Sequence, residues 1–109
     1  MIERVTTDDL QAINYLKDGD YIKSALLFEK ATVIDPQNEL ICYKFAESLI
    51  GLEKPEEADR QLTKCLDINP GYDPALILKG DLALKNGQKD EATRLYEMAL
   101  KANRKNFGA

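Results

Sequence analysis

The chain has 109 residues with 15 basic and 19 acidic side chains, a formal net charge of −4, and 44% hydrophobic residues. That balance describes a folded chain with a modest core, and its scattered basic residues argue against a nucleic-acid surface. Histidine is absent, which removes the commonest general base and the commonest metal ligand together, and no run of about 18 apolar residues is present to span a membrane.

Apolar residues recur with helical spacing throughout, and no useful stretch alternates with period two, so the fold class is all-α. The first helix is expected from about Thr7 to Asp18, with Thr6 or Thr7 as N-cap and Asp8 and Asp9 in its first turn. Gly19 ends it. The second runs from about Tyr21 to Ile34 and stops before Pro36, because a residue preceding proline avoids the α region. The third spans about Asn38 to Leu52. The fourth opens on Pro55, which suits the first helical position, and ends before Pro70. The fifth starts near Tyr72 to Pro74 and ends near Asn86 and Gly87, and the sixth covers about Gln88 to Asn103. Short connections make successive helices antiparallel neighbours.

The same pattern returns every 34 residues. Gly19-Asp20-Tyr21, Ser24, Phe28, Ala31 and Ile34-Asp35-Pro36 come back as Glu53-Lys54-Pro55, Ala58, Leu62, Cys65 and Ile68-Asn69-Pro70. A third copy holds Gly87-Gln88-Lys89, Ala92, Leu95-Tyr96 and Ala99-Leu100. A fixed period of this kind belongs to a stacked array, in which one helix pair cannot bury its apolar face alone and about three pairs are the minimum. Small residues fall one period apart: Ala12, Ala46 and Gly80 on the first helix of each pair, and Ser24, Ala58 and Ala92 or Ala31, Cys65 and Ala99 on the second. These let the helix axes approach, with Ala46 opposite Ala58 and Cys42 near Leu62 and Cys65, while Phe28, Leu62 and Tyr96 fill the space beside them.

These residues resemble the tetratricopeptide repeat over about Val5 to Asn103, as a single domain with repeats at about 5–38, 39–72 and 73–106. The resemblance implies a right-handed superhelical solenoid of three antiparallel helix pairs, with a concave groove lined mainly by the first helix of each pair. It also implies protein–protein binding rather than catalysis. Asp8 and Gln11 stand where the family usually has apolar packing residues, which suits a first helix with no earlier repeat against it. Many members end with an additional polar-faced helix, and Arg104 to Ala109 are too short to form one.

By helical geometry the groove face carries Leu10, Ile13, Leu16 and Lys17, then Leu40, Tyr43, Lys44, Glu47 and Ile50, then Ile77, Leu78, Asp81, Leu84 and Lys85. An apolar surface rimmed by charge marks a binding site and suits a peptide or helix of a protein partner. Some relatives clamp a C-terminal carboxylate with two Lys, an Arg and two Asn; the corresponding residues here are Asp9, Ile13, Lys44, Pro74 and Leu78, so the acidic chaperone tail is not expected to bind. The alternative function is self-association as a homodimer through Leu95, Met98 and Leu100 on the last helix, with Met1 to Thr6 extending the first helix to take part.

Other chemistry finds little footing. Cys42 and Cys65 lack metal-site spacing and read as buried thiols facing each other. Asp8, Asp9, Glu56 and Glu57 sit at helix starts, where the dipole favours them. Lys101, Arg104 and Lys105 complement a helix C-terminus in the same way. No catalytic set, cofactor, metal, nucleic acid or membrane is expected, and an apolar leader is missing at the N-terminus, so a cytoplasmic location is the default.

Overall fold

A computed structural model describes residues 5–106, with side chains through residue 103. Among the described residues there are six helices: α1 Thr7–Lys17, α2 Tyr21–Ile34, α3 Glu39–Gly51, α4 Pro55–Ile68, α5 Asp73–Lys85 and α6 Lys89–Asn106. The expected boundaries hold to within a residue or two, except that α6 continues to Asn106. The proposed N-terminal extension of α1 does not form at Thr6, which is its cap, and Met1 to Arg4 lie outside the described residues.

Local chemistry sets the helix ends. At α1 the Asp9 amide donates to Thr6 Oγ1 at 3.1 Å and the Thr6 amide donates to Asp9 Oδ2 at 3.0 Å, a reciprocal capping box. Asp20 caps α2, and the buried Asn38 side chain accepts from the Leu40 and Ile41 amides at α3. Each first helix of a pair ends in the same reversal: the Asp20, Lys54 and Gln88 amides donate to the carbonyls of Tyr15, Leu49 and Ala83 at 2.8, 2.9 and 2.8 Å. The residue inside each reversal has positive φ, namely Gly19 at 80°, Glu53 at 60° and Gly87 at 79°.

The pairs α1/α2, α3/α4 and α5/α6 pack side by side, with α2 against α3 and α4 against α5. The core is one cluster running from Ala12 through Phe28, Ile41, Cys42, Phe45, Ala46, Ala58, Leu62 and Cys65 to Ala75. Leu76, Leu95 and Ala99 form a second cluster, and Leu66 touches both. The small residues at the crossings are buried, Ala31 excepted, which is half-buried. The closeness they permit is plainest at Gly80, where an added Cβ would lie 2.7 Å from Tyr96 Cε1. One polar contact joins this packing: Ser24 Oγ and Ser48 Oγ are 2.8 Å apart across α2 and α3, and both are fully buried. Each hydroxyl also lies within reach of a helix carbonyl, Ser24 of Tyr21 at 3.1 Å and Ser48 of Lys44 at 3.2 Å; with one proton each, one serine donates to its carbonyl and the other to its neighbouring hydroxyl, so neither is left unsatisfied.

Candidate protein-binding surfaces

The fourteen expected groove residues fall into two environments. Leu10, Lys17, Ile77, Asp81, Leu84 and Lys85 are exposed; Ile13, Leu16, Leu40, Tyr43, Lys44, Glu47, Ile50 and Leu78 are half-buried. The half-buried apolar members Ile13, Leu16, Tyr43, Ile50 and Leu78 pack against the core cluster with their inner edges. Packing of this kind fixes their rotamers while leaving outer edges available, which lowers the entropy lost on binding a ligand.

Polar contacts order the centre of this face. Lys44 Nζ lies 3.2 Å from Glu47 Oε1 and 5.6 Å from the Tyr43 ring centroid. The Tyr43 hydroxyl donates to Glu47 Oε2 at 3.3 Å. Tyr43 and Tyr72 meet edge to face with centroids 6.0 Å apart. Burial pushes both phenols up to about 12, followed by Glu47 at Tyr43 and by the Cys65 thiol and then Glu39 at Tyr72. Tyr96 reaches across from α6 and donates to Asp81 Oδ1 at 2.5 Å, which raises the Tyr96 pKa. A pocket of about 300 Å³ opens beside these groups, lined by Tyr43, Asp73, Pro74, Ile77, Leu78 and Asp81. A second pocket, of about 360 Å³, lies in the furrow between α4 and α5/α6 and contains the Lys79–Asp59 ion pair of 2.7 Å.

The surface expected on α6 needs correction. Leu95 is only 2% exposed and packs against Leu76 and Ala99, so it belongs to the core. Met98 and Leu100 are exposed, at 37% and 56%. One period earlier Leu66 is half-buried beside α5, so Leu100 marks the face that a following helix covers in the preceding repeat.

One apolar surface was not anticipated. Ile22, Leu26 and Val33 form an exposed stripe on α2. Their counterparts are Glu56, Arg60 and Asp67 on α4 and Asp90, Arg94 and Lys101 on α6, all charged. Aligning the three copies position by position would have exposed this difference, because helical periodicity alone does not separate an outer apolar stripe from an inner one.

Cys42 and Cys65 are free thiols, fully or almost fully buried. Their hydrogen bond to each other and burial push the Cys65 thiol up, and Cys65 Sγ also donates to the Glu39 carbonyl at 3.5 Å. Among the described residues no group of His, Cys, Asp and Glu could hold a metal ion. Among the same residues no helix is long and apolar enough to cross a membrane.

The tetratricopeptide repeat family profile matches residues 50–108, more than half of the chain. The chain belongs to the tetratricopeptide repeat family. Arrays of this family are protein-interaction folds, generally without catalytic activity. Among curated relatives, it is 28% identical over 92 residues to a tetratricopeptide repeat and J domain-containing co-chaperone of Fusarium oxysporum, covering 84% of this chain and 18% of that protein. It is 32% identical over 88 residues to bovine DnaJ homolog subfamily C member 3, covering 81% of this chain and 18% of the relative. The chain therefore spans about a fifth of the length of these relatives. Among solved structures, the second tetratricopeptide domain of Spaghetti (RPAP3), bound to the HSP90 peptide SRMEEVD, superposes with a TM-score of 0.82 at 21% identity, covering 88% of this chain and 89% of that one. That likeness establishes the fold.

Proposed function

We propose that this repeat array is a non-catalytic adaptor that holds a peptide or helix of a protein partner on the face carried by α1, α3 and α5. The observation that carries the reading is the continuity of partly exposed apolar side chains from Leu10 through Tyr43 to Ile77 and Leu84, on a fold whose family binds proteins. The acidic peptide held by the RPAP3 domain is not the expected ligand. Asp9 is occupied in the α1 capping box, Lys44 is paired with Glu47, and Ile13, Pro74 and Leu78 supply no charge for a carboxylate. Affinity capture from native extract tests the reading with wild-type protein beside the double variant Tyr43→Ala/Lys44→Glu. Loss of a specific partner with unchanged circular dichroism and molar mass supports it. Retention of every partner by the variant contradicts it.

The second reading is self-association through the exposed Met98 and Leu100 face of α6. It rests on Leu100 lying where the preceding repeat is covered by another helix. Leu100→Glu would dissociate such a homodimer, and an unchanged molar mass in light scattering would exclude it.

A further inference from the structure

The pocket between α3 and α5 has a definite electrostatic character. Its two charged lining residues, Asp73 and Asp81, are carboxylates on α5, eight positions and about 12 Å apart along the helix axis, while Tyr43, Pro74, Ile77 and Leu78 form the remaining wall. The cations nearby are directed elsewhere. Lys44 is paired with Glu47. Lys79, although on α5, binds Asp59 on α4. Lys17 and Lys85 sit in the last turns of their helices, where they complement the dipole. Asp81 is held in place by the Tyr96 hydroxyl, and Asp73 lies in the first turn of α5, where a negative charge is favoured.

We infer that this pocket receives an arginine side chain of an otherwise apolar partner segment. This rests on the groove reading above and adds the chemistry of the occupant. A guanidinium entering the pocket can offer its planar fork of donors to one of these carboxylates, while the other, farther along α5, adds longer-range attraction. The flanking apolar side chains of the segment then meet Ile77 and Leu78, so the mixed lining requires an arginine and apolar neighbours in one ligand. Charge complementarity excludes a carboxylate at the same place, because it would face two like charges in a partly desolvated site.

Fluorescence anisotropy with three labelled pentapeptides tests this: Leu-Leu-Arg-Leu-Leu and the same peptide with glutamate or norleucine at the centre. The arginine peptide is expected to bind about tenfold more tightly than the norleucine peptide, with the glutamate peptide weakest and the preference falling as salt rises. Asp81→Asn retains an oxygen for the Tyr96 hydroxyl, and Asp73→Asn leaves the pocket shape intact; each should reduce the arginine preference severalfold at unchanged helicity. Equal or tighter binding of the norleucine or glutamate peptide overturns the arginine inference and leaves the groove reading standing. Absence of binding by all three also overturns it, and the capture experiment with Tyr43→Ala/Lys44→Glu then judges the groove independently.

Discussion

The Tyr21 ring on α2 lies against the α-carbon of Gly51 at the end of α3, so closely that a methyl group at Gly51 would overlap the ring atoms. This contact ties the start of the second helix to the end of the third, and so locks the first repeat onto the second. Alanine ordinarily favours a helix by about 1 kcal/mol over glycine. Here Gly51→Ala is expected instead to destabilise the fold by about 1–3 kcal/mol through overpacking. Thermal denaturation checks the sign, and in a Tyr21→Ala background the same change should become neutral or stabilising.

Glu53 carries a cost that its counterparts Gly19 and Gly87 avoid. All three residues reverse the chain with positive φ, and a side chain in that region costs about 1–2 kcal/mol. Part of this is offset by the greater freedom of glycine in the unfolded chain. Glu53→Gly should therefore stabilise the protein by about 1 kcal/mol, visible as a higher Tm or a higher denaturation midpoint at constant slope.

Ala46 and Ala58 have no exposed surface and belong to the same core cluster, as facing positions on α3 and α4 require. Ala46→Leu should cost about 1–3 kcal/mol. Unchanged thermal stability in this variant would refute the packing register.

Alkaline pH should weaken the fold in a defined window. Tyr43 and Tyr72 ionise near 12 in the folded chain, against an ordinary value of 10. The unfolded chain thus loses these protons first, and stability is fully present below pH 10 and declines as pH rises towards 12. Tyrosinate absorbance should show Tyr43 and Tyr72 titrating late, with Tyr96 also displaced upward by its hydrogen bond to Asp81, and Tyr43→Phe together with Tyr72→Phe should flatten stability across that window.

Much of this architecture was readable because it rests on residues whose backbone chemistry admits few alternatives. Pro36, Pro70, Gly19 and Gly87 fixed the helix ends, and the 34-residue recurrence of small residues fixed the pairing. Features that depend on a distant neighbour were not readable. In sequence Ser24 is simply another small residue, whereas in the fold Ser48 stands opposite it at 2.8 Å; Tyr96 reads as core filler, whereas its hydroxyl donates to Asp81. Helical spacing groups Leu95 with Met98 and Leu100 near one face of α6, and that Leu95 alone of the three packs inward against Leu76 depends on how α5 and α6 meet. The α2 stripe of Ile22, Leu26 and Val33 was present in the sequence as a contrast with charged counterparts, yet a periodicity argument weighs each helix by itself.

The most direct test of the groove as the binding surface is amide NMR mapping of the chain titrated with the Leu-Leu-Arg-Leu-Leu peptide. The account predicts saturable shift changes at Tyr43, Asp73, Ile77 and Asp81 on α3 and α5, with α2 and α6 unaffected beyond Tyr96, the hydrogen-bond partner of Asp81. Changes concentrated on the exposed stripe of α2, or around Met98 and Leu100 on α6, would contradict it.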